Sequence, residues 1–357
     1  GRRLRRPSDE AAPFPVLNPW YVPLVGMPVL DSWNRRGLIR QVARAFPMDE
    51  RRCIVWLSTP SMLAEAMIER LAANGRRRSL VVYDCMDRYA AFHHGRDRAR
   101  IERIERTVVA RADVVFASSR SLAELPGLGG REVLHVANGV EYEAFAPSRR
   151  PEPPAWRQRT SGPVIGYHGT LGDWLDFESL EWLAKRRPGW TFVMIGPRAT
   201  SRGGRFFSLP NVLLPGPVTY AELPAHTAHF DVGIVPFVSN ELTRCVHPIK
   251  ALEYLAAGLP TVSRPLRDLA DLSDVVRFAD SPHQWLAALE QALGPVARAP
   301  ERVAARRAAA KIRSWDDAAQ HIAEALDAAL AATAQRERPF ANQVEHEHSS
   351  QTVGCPS

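Results

Sequence analysis

The sequence predicts an α/β protein built as two Rossmann-like halves that face a common cleft. Three observations carry this. Strand-like and helix-like segments alternate through residues 53–136, the mark of a mostly parallel sheet. Residues 147–162, PSRRPEPPAWRQRTSG, then interrupt the pattern with prolines and no periodicity, as an interdomain linker does. A second alternation begins at Val164. The length of 357 residues exceeds what one core usually serves, which agrees with two domains.

Taken in order, a basic start leads to a short strand over 14–17 and a loop rich in proline and aromatics over 18–30. Charged and apolar residues at helical spacing predict a helix over 34–46. Strand 53–57, helix 60–74, strand 80–83, helix 96–111 and strand 113–117 follow, then a helix from Ser119, a strand over 133–136 and the Asn138-Gly139 turn. The second half reads as strand 164–168, helix 176–186, strands 191–195 and 212–214, helix 220–229 and strand 232–235. Strand 275–278 and helices near 282–293 finish it. Residues 299–312 and 315–332 are alanine-rich and helical, and a long terminal helix of this kind is expected to pack back across the cleft. From Arg336 the chain turns polar and disorder is expected, with His346 and His348 solvated rather than metal-bound. The expected organisation is 1–147, 160–296, crossing helices over 297–335 and a tail over 336–357.

Composition, 45% hydrophobic and 24% charged, is that of an ordinary soluble protein, and no apolar run is long enough to span a bilayer. The net charge of +7 comes almost wholly from arginine, since lysine occurs only at 185, 250 and 311. Those arginines are scattered without interleaved aromatics, which argues against a nucleic-acid partner and leaves room for contact with anionic membrane surfaces. Cys53, Cys85, Cys245 and Cys355 show no metal or disulfide spacing, so a reducing, cytoplasmic setting is expected, extending to the inner face of the plasma membrane. GRRLRRPSDE has no apolar core after its basic residues and is not a secretory signal; lacking an initiator Met, the chain reads as a fragment or a trimmed form.

The central stretch is 247–263, HPIKALEYLAAGLPTVS. Pro248 suits the first helical position, Gly258 a left-handed residue past the helix end, and 260–263 a short buried strand. Ile249, Leu252, Ala256 and Leu259 form an apolar stripe, with Lys250, Glu253 and Ala257 on a neighbouring face. Free N–H groups at the helix start, around His247 to Lys250, make a ready phosphate site, with Pro248 and Ile249 setting the start. Glu253, about 5 Å further along the axis, is placed to accept hydrogen bonds from two ribose hydroxyls. The alternative is an exposed i,i+3 pair worth about 0.2–0.5 kcal/mol.

Other stretches stay open between chemistry and structure. VIGYHGTLGDW (164–174) is not GxGxxG, which disfavours a nicotinamide site; its turn at His168, Gly169 and Thr170 either approaches a phosphate or is simply tight. LVVYDCMD (80–87) ends a strand with Asp84 and Asp87 where ligands bind in open sheets; Asp87 either holds a sugar hydroxyl or caps the next turn, and His93 and His94 follow in the same loop. Asn240 and Thr243 either contact a sugar or phosphate or shape a polar turn.

These segments in order, with HVANGVEYEAF, NVLLPGPVTYAELP and FDVGIVPF, resemble the retaining GT-B glycosyltransferases, family 4-like, and are similar to teichuronic-acid, capsule and exopolysaccharide sugar transferases. The resemblance covers roughly 50–320 and is more specific in the second half. It implies a GT-B fold and metal-independent transfer of a sugar, with retention, from a nucleotide-sugar donor in the second domain to a glycan or lipid-linked acceptor at the first. No cofactor is implied beyond the co-substrate. Glu253 matches the family's ribose-holding glutamate, Lys250 with Pro248 its diphosphate region, and Val218 to Tyr220 its base-positioning loop; Gly196, after strand 191–195, joins the donor-side candidates. Asp87, Lys250 and Glu253 are the catalytic candidates.

Departures from the family are specific. Cys245 falls where many relatives have a first glutamate. His168-Gly169-Thr170 stands near the place of an arginine and a lysine, leaving Lys250, helix N–H groups, Arg244 or Arg264 to meet the diphosphate. A first strand with its glycine-rich loop is expected before residue 14 and is absent from the sequence; if the natural chain begins here, the acceptor side is incomplete. A nucleotide-sugar epimerase of the same architecture is one rival, although no convincing acid/base set is found, and an inactive sugar-binding or scaffolding homologue is the other.

Overall fold

A computed structural model of the protein describes residues 17, 19, 27–46, 53–73, 79–125, 128 and 132–337. Its first half runs α1 (Pro28–Ala45), β1 (Cys53–Leu57), α2 (Met62–Ala73), β2 (Ser79–Cys85), α3 (Gly95–Arg111), β3 (Val114–Ala117), α4 (Arg120–Ala123), β4 (Leu134–His135) and α5 (Tyr142–Phe145). The second half runs β5 (Val164–His168), α6 (Phe177–Arg186), β6 (Thr191–Ile195), α7 (Gly204–Phe207), β7 (Val212–Gly216), α8 (Leu223–Thr227), β8 (Val232–Val235), α9 (Ile249–Ala256), β9 (Thr261–Ser263), β10 (Val276–Phe278) and α10 (Pro282–Leu293). Two helices close the described chain, α11 (Pro300–Lys311) and α12 (Trp315–Glu337).

Both sheets are parallel. One has order β1-β2-β3-β4 and the other β10-β9-β8-β5-β6-β7. Residues of β5 and β6 are buried on both faces, the reason VIGYH and TFVMI read as continuous rather than alternating strands. In β2, by contrast, successive side chains enter different cores. Val81 and Tyr83 meet Ile68, Ile104 and Val108 of α2 and α3. Leu80 and Val82, with Val114 and Phe116, meet Ile322, Leu326 and Leu330 of α12. The C-terminal helix therefore covers a face of the first sheet, as expected, and Val140 N–H donates to the Arg313 carbonyl at 2.9 Å where the chain crosses.

Further contacts tie the halves around the cleft. Glu241 accepts from both Arg98 Nη1 and Nη2 at 2.9 and 2.8 Å, and lies 3.3 Å from Arg88 Nε. Asp268 accepts the Arg120 N–H at 2.7 Å, and Ser119 Oγ donates to the Cys245 carbonyl at 2.7 Å. The arrangement is the GT-B one.

Differences from the expected elements have local causes. α1 begins at Pro28, inside the stretch expected to be loop, because proline is tolerated at a helix start and Asp31 favours the first turn. The expected helix 220–229 is split into a 3₁₀ turn over Tyr220–Glu222 and α8, with Pro224 at the restart. Within the linker, Trp156 is buried in the second core and its Nε1 donates to His226 Nδ1 at 2.9 Å, so that segment is anchored rather than free. The expected strand over 14–17 and the tail beyond 337, with its histidines and Cys355, lie outside the described residues apart from Leu17, which is not in a strand.

Candidate functional site

The donor-side site is built on α9. Pro248 is the N-cap, one residue earlier than expected, with extended backbone and no side-chain cap; only Ala251 N–H turns back, onto the Pro248 carbonyl at 3.0 Å. The Ile249 and Lys250 amides at the mouth of an eight-residue helix thus point where an anion is favoured. At the other end Gly258 (φ 79) and Leu259 donate to the Leu255 and Tyr254 carbonyls at 2.9 Å, closing a Schellman turn into β9.

Lys250 is not an exposed member of a surface pair. It projects into an interdomain cavity of about 280 Å³, walled by Asp87 and Phe92 of the first half and by Tyr167, Trp174 and Phe237 of the second. Its ammonium lies 4.9 Å from the Phe237 ring centroid and 5.5 Å from that of Tyr167. Burial brings its pKa down to about 8, against the opposing pull of Glu253 and Asp87. Burial likewise raises Asp87, opposed by Lys250. The expected alternative for Asp87, a turn cap, is not built: the 3₁₀ turn Tyr89–Phe92 starts at Arg88 with no side-chain cap.

Glu253 is 4% exposed and faces His168 and Tyr220. Burial lifts its pKa to about 7, opposed by Lys250 and by a hydrogen bond with the Tyr220 side chain. His168 Nε2 stands 3.6 Å from Glu253 Oε2, but burial and then Lys250 push the imidazole down to about 3, so the contact is dipolar rather than an ion pair. His168 Nε2 has no hydrogen-bond partner among the described residues. Phe145 packs against both the His168 and Tyr220 rings, at 6.3 and 6.0 Å between centroids.

The Gly169 and Gly196 turns touch, since Gly169 N–H donates to the Ile195 carbonyl at 2.9 Å. At Gly196 (φ 137) a Cβ would sit 2.2 Å from the Gly169 oxygen, so only glycine lets the two loops meet. Thr170 lines the cavity, and Val218 packs at the edge of the second core beside Tyr220.

Other candidates are placed elsewhere. Asn240 and Thr243 bond each other, Thr243 N–H to Asn240 Oδ1 at 2.9 Å and Asn240 N–H to Thr243 Oγ1 at 3.1 Å, which is the turn alternative; Thr243 still reaches the cavity wall. The His247 side chain is buried, pushed down to about 4 by burial, and feels Asp268 and His135; its carbonyl accepts from Asn138 Nδ2 at 3.0 Å. Arg264 is committed to the Phe237 carbonyl at 2.8 Å and to Asp176 at 3.2 Å, so it does not serve a diphosphate. Arg244 is exposed. Asp84 accepts from Trp56 Nε1 at 3.2 Å, and His93 opens into a separate 430 Å³ cavity between α1 and α3. Cys245, 6% exposed, packs into the first half's core. Sequence reasoning missed the aromatic walls: Tyr167 lies within β5 and reads there as a core residue, Trp174 and Phe237 follow β5 and β8, and Phe92 ends the 3₁₀ turn Tyr89–Phe92. Among the described residues no group of His, Cys, Asp and Glu is arranged to hold a metal ion, and no helix is long and apolar enough to cross a membrane.

Residues 162–294 match the family model described as glycosyl transferases group 1. This segment is a group 1 glycosyl transferase domain. The domain spans β5 to α10 and so contains α9, Lys250 and Glu253. The proposed teichuronic acid biosynthesis glycosyltransferase TuaH of Bacillus subtilis is 32% identical over 261 residues, 68% of this chain; the alignment spans 64% of the relative's length. Among solved structures, Anabaena HepE in complex with UDP and glucose superposes with a TM-score of 0.64 at 15% identity, covering 82% of each chain. Sucrose-phosphate synthase from Thermosynechococcus elongatus gives 0.65 at 12% identity over 87% of this chain and 81% of that one. The catalytic domain of Arabidopsis thaliana starch synthase IV, bound to ADP and acarbose, gives 0.62 at 14%, covering 84% and 77%. Likeness at such identity speaks for the fold, and the glycosyl transferase domain supplies the half in which α9 lies.

Proposed function

We propose that the chain is a glycosyltransferase that moves a sugar from a nucleotide-sugar donor to a glycan or lipid-linked acceptor, with retention and without a metal ion, in cell-surface polysaccharide synthesis. One observation carries the reading: a lysine at the mouth of an uncapped helix enters a cleft cavity opposite a carboxylate of the other domain. The amides at the helix start and Lys250 receive the diphosphate and stabilise it as it leaves. Glu253, beside Tyr220, takes the ribose hydroxyls, and Val218 borders the base. The bond from the anomeric carbon to the phosphate oxygen breaks while the acceptor oxygen bonds to that carbon on the same face. The leaving phosphate takes the acceptor proton, and Asp87 orients the acceptor hydroxyl.

The net charge of +7 favours work at the anionic cytoplasmic face of a membrane. Epimerisation is the weaker reading, because the charged groups lining the cavity are Asp87 and Lys250, too few to work both faces of a sugar. Incubation with UDP, GDP and dTDP sugars should release nucleoside diphosphate and yield a product of unchanged anomeric configuration, with EDTA without effect. Isomerised donor, or inverted product, would contradict the reading.

A further inference from the structure

The sugar end of the cleft has few groups left to bind hydroxyls. The Tyr167 hydroxyl donates to the Thr170 carbonyl at 3.1 Å. Thr243 Oγ1 is turned to the Val238 carbonyl. The Tyr167 and Thr243 hydroxyls are therefore already used, and the rest of the wall is aromatic rings with Leu242 and Val246. Beyond Lys250, which meets the diphosphate, Asp87, the Thr170 side chain and the single Trp174 N–H remain.

The aromatic wall is held in position. Trp174 accepts the Val238 N–H on its carbonyl at 2.8 Å, and its indole lies where a Cβ on residue 172 would come within 2.4 Å, so glycine there leaves room for the ring. Phe92 of the first half meets Trp174 edge to face, 6.4 Å between centroids at 88°, closing the cavity across the domains. At about 280 Å³ the space is just under the ~300–1,000 Å³ of drug-sized ligand sites, enough for one sugar ring.

We infer that the transferred sugar carries a methyl-bearing group in place of a hydroxyl, as in a 6-deoxyhexose or an N-acetylhexosamine, and bears no carboxylate. The inference rests on the donor-site reading above. A fully hydroxylated hexose would bury hydroxyls against rings that offer no partner, losing their bonds to water without replacement. A methyl or acetyl group instead gains by leaving water for the Trp174 and Phe92 faces. A uronate would set its charge beside Asp87.

Calorimetry on the full chain tests this with UDP-glucose, UDP-N-acetylglucosamine and UDP-glucuronate, dTDP-glucose against dTDP-6-deoxyglucose, and GDP-D-mannose against GDP-D-rhamnose. UDP, dTDP and GDP alone are the references. For the base that binds, the methyl-bearing sugar should bind about ten-fold more tightly than its hydroxylated counterpart, and UDP-glucuronate, where tested, more weakly than UDP alone. Trp174→Ala should abolish the preference while the bare diphosphate binds as before; Phe92→Ala, at an exposed ring, should weaken it without touching the core. Equal binding of the two sugars, tighter binding of the uronate, or a preference that survives both substitutions would overturn the inference and leave the donor site standing. Absence of binding by all three diphosphates would overturn both.

Discussion

Lys250→Ala is expected to lower the turnover of sugar transfer by about 10²–10³-fold, the loss typical when a preorganised charge is removed from a developing anion. Donor affinity should fall less, because the amides at the start of α9 still receive the diphosphate. The pH dependence has a defined sign. Burial brings Lys250 down to about 8, so the free protein loses this positive charge as pH rises through that value, and kcat/KM should fall with it. A bound diphosphate favours the protonated amine and moves the decline in kcat to higher pH. Steady-state kinetics from pH 6.5 to 9.5 reads both limbs. Turnover unchanged in Lys250→Ala would remove the lysine from the mechanism.

Glu253→Gln is expected to stabilise the protein while weakening its nucleotide binding. The carboxyl's folded pKa, about 7, lies above its ordinary value of 4.5, so the protonated form is the one the fold prefers. Its contribution to stability is full below about pH 4.5 and is lost as pH rises through 7; above that the buried anion costs up to ~3 kcal/mol. The glutamine variant escapes that cost. It should melt higher than the parent at pH 8, with the gap closing toward pH 5, and bind nucleoside diphosphate roughly ten-fold more weakly, the value of one charge-assisted hydrogen bond. Equal melting at pH 8 together with unchanged affinity would mean the carboxylate is neither strained nor used. A group that burdens the fold in the absence of ligand is where local rules and function are expected to conflict.

Much of this molecule was legible in its sequence, for physical reasons that differ by region. β5 and β6 stand out because parallel strands buried on both faces must be apolar throughout. The Lys250–Glu253 pair was legible because a bounded helix fixes which side chains share a face. What lay hidden depends on partners far away in the chain. Pro28 starts a helix in a stretch whose prolines and aromatics read as loop, and Trp156 is claimed by the second core through His226. Arg264, a candidate for the diphosphate, is taken by Asp176 and by the Phe237 carbonyl, neither of which local periodicity announces. Cys245, in the place of a family glutamate, packs into the opposite half's core, so its substitution goes with a domain contact rather than a cavity wall. The aromatic lining of the cavity comes from β5, from the loops after β5 and β8 and from the 3₁₀ turn after β2, and has no pattern along the chain.

The most direct measurement is a crystal structure of the protein with whichever of UDP, GDP or dTDP it binds. The account predicts both ribose hydroxyls within about 2.6–3.2 Å of the Glu253 carboxylate and the terminal phosphate against Lys250 and the α9 amides. A nucleotide bound with its ribose away from Glu253, or with its phosphates outside the cavity shared by Asp87 and Lys250, would contradict it.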